Sequence, residues 1–276
     1  VSIPGFRPKV IATDLDGTIV PHYTGVSERT VNAFNAAKEA GIEIYFVTGR
    51  PPRWMAEIRE IFGYGNAICA NGAMHYDLMN ARIIEEWNIP VENIFEIAKR
   101  LRAAIKNVYF AIEFEGHFHR EKNYIPLWDV GVDNVGVNMI EEMATQPAFK
   151  MLAKCEDEDF TSDQMLEIAY KEISDIATVT HSNSNPHEAL LEISALGVSK
   201  GSTLAQLVAR DGYGPDDVVT FGDNPNDFSM LSWATRSWAM EDGHPDAKKH
   251  AKFVAGPHKE DGVAIVIEQL LQLPVE

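Results

Sequence analysis

Basic residues are scarce in this chain. Lysine and arginine number 24 against 41 aspartates and glutamates, a formal net charge of -17. A field of that sign repels nucleic acid and anionic membrane surfaces, so neither is expected as a partner. Cysteine is scarcer still. The two present, Cys69 and Cys155, stand far apart in unlike contexts and give no basis for a disulfide framework. No apolar run approaches the roughly 18 residues of a membrane span, and no signal peptide is recognisable before the first strand. A reduced, cytoplasmic setting is the expectation. There is no internal repeat and no low-complexity tract. The 276 residues, 45% hydrophobic and 24% charged, allow one large or two modest domains, each with a real core.

What the chain does have is a stretch that a fold alone does not require, Lys9-Val10-Ile11-Ala12-Thr13-Asp14-Leu15-Asp16-Gly17-Thr18. Val10 to Thr13 reads as a short strand buried on both faces. It ends in two aspartates one residue apart and a glycine that lets the backbone turn. Like charges at a strand end repel, so the arrangement makes sense where a cation and a phosphoryl group bind. A calcium loop of the D-x-D-x-D-G kind competes. It needs a third acidic residue before its glycine and flanking helices, and Leu15 and a strand stand there instead.

The pattern continues as strand, helix, strand. Ser27 is a candidate N-cap for a helix through Val31, Phe34 and Ala37, which Gly41 closes. Ile42 to Val47 is a second strand ended by Thr48-Gly49-Arg50, and Trp54 to Phe62 is helical. Ala67 to Ala70 is a third strand, and the Asn71-Gly72 turn leads into a hairpin through Met74 and Tyr76. Such alternation predicts a parallel sheet. From about Arg82 the character changes. A strand at Arg82 to Trp87, a helix at Val91 to Ile105, and a hairpin of Val108–Phe114 with His117–Arg120 predict a separate α+β domain. Strands at Phe149–Ala153 and Ile176–His181, with a helix at Gln164–Glu172 between them, complete it. The acidic run Glu156 to Asp159 reads as a solvated loop, and Ser182 to Pro186 as a linker. A strand at Ala189–Ile193, a helix at Lys200–Arg210 and a strand at Val218–Phe221 then resume the parallel pattern. After them come Gly222-Asp223-Asn224-Pro225-Asn226-Asp227, a helix at Phe228–Trp233, a strand at Ser237–Met240 and a helix at Gly262–Leu271. The expected fold class is α/β, a Rossmann-like parallel-sheet core (1–82 and 189–276) with an inserted α+β domain (83–188).

Parallel sheets place their sites outside the carboxyl ends of the strands. Three unusual features stand at such ends: Asp14 with Asp16, Thr48-Gly49, and Asp223 with Asn226 and Asp227. Clustered carboxylates and amides make a hard oxygen site suited to Mg²⁺. With these motifs in order, and with Lys200, the chain resembles a haloacid dehalogenase (HAD) superfamily phosphatase of the Cof-type branch with a large α/β cap. Asn71-Gly72-Ala73, Val198-Ser199-Lys200-Gly201 and Asp261-Gly262-Val263-Ala264 add to the likeness. It covers the core motif by motif and the cap in architecture only.

The resemblance implies a role for each residue. Asp14 is the nucleophile that forms an aspartyl-phosphate. Asp16 protonates the leaving oxygen and later takes a proton from the attacking water. Mg²⁺ is held by the Asp14 and Asp223 carboxylates and the Asp16 carbonyl. Thr48 and the Gly49 amide bind the phosphoryl oxygens, and Lys200 supplies fixed positive charge. Asn226 contacts the phosphate or a metal-bound water; Asp227 and Asn224 support that shell. Taken singly, a threonine at a strand end is a cap and a lysine at a helix start is solvated; only their company reverses this. His117 and His119 share one strand face. They have no evident third metal ligand, so they are surface residues or, with Arg120 or Lys122, substrate contacts. Arg50 either pairs locally or touches substrate. The implied activity is Mg²⁺-dependent hydrolysis of small phosphorylated metabolites, sugar phosphates above all, with the cap excluding water and selecting the ester. Two rivals share the fold: a phosphotransferase or mutase using the same intermediate, and a non-catalytic ligand-binding or regulatory protein.

Overall fold

A computed structural model describes residues 6–21, 25–155, 160–182 and 188–272. The acidic run Glu156–Asp159, most of the Ser182–Pro186 linker and the middle of the loop after Val20 lie outside the described residues. The chain divides into two compact units, one of Val1–Glu85 with Lys200–Glu276, the other of Glu86–Ser199.

The first unit begins with β1 (Val10–Thr13), whose four residues are all buried. Ser27 caps α1 (Glu28–Glu39), its Oγ accepting the Thr30 N–H at 3.1 Å. β2 (Glu43–Val47) follows. The single helix expected from Trp54 is instead a 3-10 turn, Pro52–Trp54, and a separate α2 (Ala56–Phe62), with Met55 at the joint. The two prolines leading into the turn favour that tight start over a regular helix. β3 (Asn66–Cys69) and β4 (Met74–Asp77) form the expected hairpin, and β5 (Arg82–Glu86) completes this segment.

The inserted unit holds α3 (Val91–Ala104), β6 (Val108–Phe114), β7 (His117–Arg120), β8 (Lys150–Cys155), α4 (Ser162–Ile173), β9 (Ala177–Thr180) and β10 (Ala189–Ala195). Its sheet runs β7-β6-β8-β10-β9, antiparallel throughout. Ile94, Ile97 and Leu101 of α3 and Met165 and Ile173 of α4 share one core with Phe110, Ile112, Met151, Leu191 and Ile193 of the strands.

The chain then returns to the first unit through α5 (Lys200–Ala209), β11 (Val218–Gly222), α6 (Phe228–Trp233), β12 (Arg236–Met240), α7 (Ala247–His250), β13 (Phe253–Ala255) and α8 (Gly262–Leu271). Eight strands make one sheet in the order β13-β12-β11-β1-β2-β3-β4-β5. The six from β13 to β3 are parallel, with Val10 level with Val218 on one side and Glu43 on the other. β1 and β11 therefore lie in the middle, where both faces are covered and apolar runs belong. Phe34, Phe46, Phe62 and Tyr64 form an aromatic chain on the α1–α2 side. The α/β class and the parallel core agree with the sequence. α7 and β13, too short for a periodic signal, were not anticipated.

The expected domain limits differ from the observed division at both crossings. β5 adds to the edge of the core sheet beside β4 and is not the first cap strand. β10, expected in the core, is the fourth strand of the cap sheet, with Leu191 opposite Ala153 and Glu192 opposite Thr180. Its Glu192 accepts from Lys150 Nζ at 2.5 Å, both side chains buried. A buried carboxylate needs such a partner, and that partner sits on β8. Among the described residues no helix is long and apolar enough to cross a membrane.

The close packing of α5 on α6 gives a stability test. A Cβ on Gly201 would stand 2.5 Å from the Ser229 carbonyl carbon and 2.6 Å from its oxygen. Gly201→Ala should cost about 1–3 kcal/mol, as overpacked cores do, and lower the calorimetric melting temperature. An unchanged melting temperature would show that α5 can shift freely.

Candidate active site

The carboxyl ends of neighbouring parallel strands deliver the site residues. Asp14 follows β1, Thr48 follows β2 and Asp223 follows β11, and these three strands are adjacent in the order β11-β1-β2. Lys200, at the start of α5, is fully buried. Its Nζ donates to Asp14 Oδ1 at 2.6 Å and to Asp227 Oδ1 at 2.7 Å. The other Asp227 oxygen accepts the backbone N–H groups of Asp223 (2.9 Å) and Asn224 (3.1 Å). Both Asp227 oxygens are thus committed to holding Lys200 and the loop after β11. Gly222 makes room for this: a Cβ there would stand 2.5 Å from the Asp227 side chain.

Asp14, Asp223 and Asp227 can bring one oxygen each within 4.8 Å of the others. With all three carboxylates ionised, the one ammonium leaves a formal excess of two negative charges. Burial pushes the Asp14 carboxyl up to about 7 against the pull of Lys200, and the charges of Asp227 and Asp16 push the same way. Burial, then Asp14 and Asp227, raise Asp223 well above the ordinary carboxylate range. Lys200 is raised: burial works against its charge, and the two carboxylates outweigh burial.

Thr18 completes the cluster. Its Oγ donor lies 3.3 Å from Asp223 Oδ1 and 3.5 Å from Asp14 Oδ2, so the two carboxylates converge on one hydroxyl. Gly17, at φ +79°, lets Asp223 come closer than a side chain would allow; a Cβ there would be 2.4 Å from its Oδ2. Oxygen-only donors, a net deficit of two charges and a cradle that a Cβ would fill all fit a hard divalent cation. Asp14 and Asp223 could hold one, since both Asp227 oxygens are already engaged. The Asp16 side chain lies outside this triad.

Asp16 is instead clamped by Arg50, whose Nε and Nη2 donate to its two oxygens at 2.8 and 2.6 Å. Of the two sequence readings for Arg50, local pairing is the one seen, and Glu57 adds a longer contact at 3.5 Å. Thr48 is buried, and its Oγ accepts the Arg50 N–H at 3.0 Å. That leaves the hydroxyl hydrogen to be donated elsewhere. Asn224 donates to Asp223 Oδ2 at 2.7 Å, and Asn226 donates to Asn71 Oδ1 at 3.1 Å. Neither Thr18 nor Asn71 was among the expected site residues. Thr18 was legible as part of the first motif; Asn71 looked like a turn residue.

The other expected contacts lie on β7 of the inserted unit. His117 is exposed, and His119 stacks on Phe114 with ring centroids 4.3 Å apart. Burial, then the neighbouring His117, lowers the His119 imidazole. Arg120 donates to the carbonyls of Glu121, Lys122, Tyr124 and Asn134 at 2.7–3.3 Å, so its guanidinium braces a loop.

A family model for haloacid dehalogenase-like hydrolases matches residues 11–267. The chain belongs to that family. It is a phosphatase-type enzyme of the Cof-type branch, in accord with the motif reading. The pyridoxal phosphate phosphatase YbhA of Escherichia coli (strain K12) is 27% identical over 93% of this chain and 96% of its own length. The 5-amino-6-(5-phospho-D-ribitylamino)uracil phosphatase YwtE of Bacillus subtilis (strain 168) is also 27% identical, over 95% and 98%. In fold, the chain is similar to BT1666 of Bacteroides thetaiotaomicron, with a TM-score of 0.77 and 20% identity over 98% of this chain and 97% of that one.

Removing the central lysine tests this electrostatic balance. Lys200→Met should destabilise the protein by about 3–5 kcal/mol in metal-free buffer, because it strands buried carboxylates. Added Mg²⁺ should recover part of that loss. Denaturant titration that shows parent-like stability, or no recovery with Mg²⁺, would contradict the arrangement.

Proposed function

We propose that this protein hydrolyses phosphate monoesters of small metabolites, sugar phosphates among them, through an aspartyl-phosphate on Asp14 and with Mg²⁺ held by Asp14 and Asp223. The observation that carries the reading is the Asp14 carboxylate at a strand end, 4% exposed and bonded to a fully buried Lys200. An ordinary structural aspartate would not be paired with a buried lysine and two further buried carboxylates.

An Asp14 oxygen forms a bond to phosphorus as the ester P–O bond breaks. Asp16, once its carboxylate has left the Arg50 clamp and taken up a proton, gives that proton to the departing oxygen. Its side chain is 44% exposed, so it can exchange protons with solvent between turnovers. Water then attacks phosphorus, loses its proton to Asp16, and the Asp14 carboxylate departs. Thr48 donates its hydroxyl hydrogen to a phosphoryl oxygen, with the Gly49 amide beside it, and Lys200 offsets the charge on the group in transfer. Mg²⁺, when bound, supplies the positive charge that lets an anionic ester approach these carboxylates.

Every residue of the cluster belongs to the first unit, so the phosphoryl chemistry is carried there. Hydrolysis of pyridoxal phosphate and of a phosphoribityl compound by 27%-identical relatives supports a small phosphorylated substrate. The presence of Asp14, Asp16 and Lys200 together argues against a non-catalytic member.

The two aspartates can be told apart. Asp14→Asn should remove essentially all turnover and leave the fold intact. Asp16→Asn should slow phosphorylation of Asp14 by a sugar phosphate roughly 10²–10⁴-fold, the usual contribution of a general acid. Nitrophenyl phosphate, whose leaving group needs no proton, should be affected far less. Equal slowing of the two esters in single-turnover measurements would refute the acid role.

A further inference from the structure

The adjacent strand ends β11, β1 and β2 each deliver a residue already assigned. The next strand, β3, ends in a conformation that nothing so far explains. Ala70, Asn71 and Gly72 all have positive φ (49°, 56° and 106°), and two of the three are not glycine. Such backbone is uncommon and persists where its surroundings hold it. Here the Ala70 N–H donates to Arg50 O and the Asn71 N–H to Thr48 O, both at 3.0 Å. Thr203 of α5 donates to Gly72 O at 2.8 Å. The strained turn is thus tied to the phosphate-binding segment after β2 and to the helix that starts with Lys200.

This strain aims one side chain. Asn71 is 3% exposed and accepts from Asn226, which is 7% exposed. Asn226 belongs to the loop after β11, three places from β3 in the sheet, so this bond spans the ends of β1 and β2. Those are the ends that carry Asp14 and Thr48. In the couple, Asn71 Nδ2 and Asn226 Oδ1 are buried with no hydrogen-bond partner. Rotating both carboxamides only exchanges which residue keeps the N–H and which the oxygen. One buried donor and one buried acceptor remain in either case, and groups of this kind normally have partners.

Resting on the phosphatase reading above, and with Asn226 as the donor within the couple, we propose that Asn71 is a further substrate-binding residue, whose carboxamide N–H donates to an oxygen of the bound phosphoryl group. The couple is uncharged, which suits a place where another carboxylate would repel the ester. Its remaining oxygen takes a hydrogen from a hydroxyl or from water. The αL turn sets the direction of the carboxamide before the ester arrives.

Two variants of the full chain test this, with inorganic phosphate as the probe in calorimetric titration at saturating Mg²⁺. Asn71→Gly removes the carboxamide and tolerates the positive φ. Asn71→Asp keeps the shape and the bond accepted from Asn226 but has no N–H. Both should weaken phosphate binding roughly 10- to 100-fold, the range for one hydrogen bond to a charged acceptor. Mg²⁺ affinity without phosphate should stay unchanged in Asn71→Gly. Parent-like phosphate affinity in Asn71→Gly would overturn the assignment. So would parent-like affinity in Asn71→Asp alone, because Asn71 would then act only by holding Asn226. If one variant fails to fold, the other decides. A parent chain that neither binds phosphate nor hydrolyses esters overturns the phosphatase reading itself. A parent that hydrolyses esters while Asn71→Gly matches its phosphate affinity overturns the Asn71 assignment alone.

Discussion

The Lys200 ammonium is the group on which this site depends. It is wholly removed from water, and that is tolerable only because Asp14 and Asp227 lie 2.6 and 2.7 Å from it. The dependence runs both ways, since the carboxylates are buried too and would otherwise repel one another. Asp227 spends one oxygen on Lys200 and the other on two backbone amides, and so fixes the loop that presents Asp223. A chain with a net charge of -17 brings the Asp14 carboxylate to a buried position by surrounding one lysine with acids. What remains unbalanced is a charge deficit that a divalent cation matches.

Sheet topology does the rest of the positioning. β1 and β11 pair in the middle of the six parallel strands, so Asp14 and Asp223 leave neighbouring strands at the same end. Small residues set the distances. Gly17 and Gly222 stand where any side chain would collide with Asp223 or Asp227. The motif glycines thus serve carboxylate packing as well as turning the chain.

The core site was legible because its residues stand directly after apolar strands, where polar side chains need a reason to be. Asp14, Thr48 and Asp223 each follow a run that is buried on both faces. Their convergence follows from parallel order. Asn71 was not legible in the same way, because an Asn-Gly pair before a hairpin already has a sufficient explanation in turn chemistry. Its link to Asn226, 155 residues away, is a property of the fold. Arg50 could not be assigned from sequence either; its clamp on Asp16 joins the ends of two strands.

The domain crossings show another limit. Ala189–Ala195 carries the apolar content of a core strand, and the Ser/Asn/Pro cluster before it resembles a linker. The strand nonetheless completes the inserted sheet, where Glu192 meets Lys150. A charged residue inside an apolar run was the available clue, but its partner was 42 residues upstream. The expected Trp54 helix differs for a local reason, the proline-led turn ahead of Met55.

The central claim is that Asp14 becomes covalently phosphorylated. Borohydride reduction of enzyme quenched during turnover of a phosphate ester, followed by peptide mass spectrometry, tests it most directly. An acyl phosphate on Asp14 is reduced to the corresponding alcohol, so the account predicts homoserine at position 14 only when ester and Mg²⁺ are both present. Reduction at another carboxylate, or none at position 14 while hydrolysis proceeds, would contradict it.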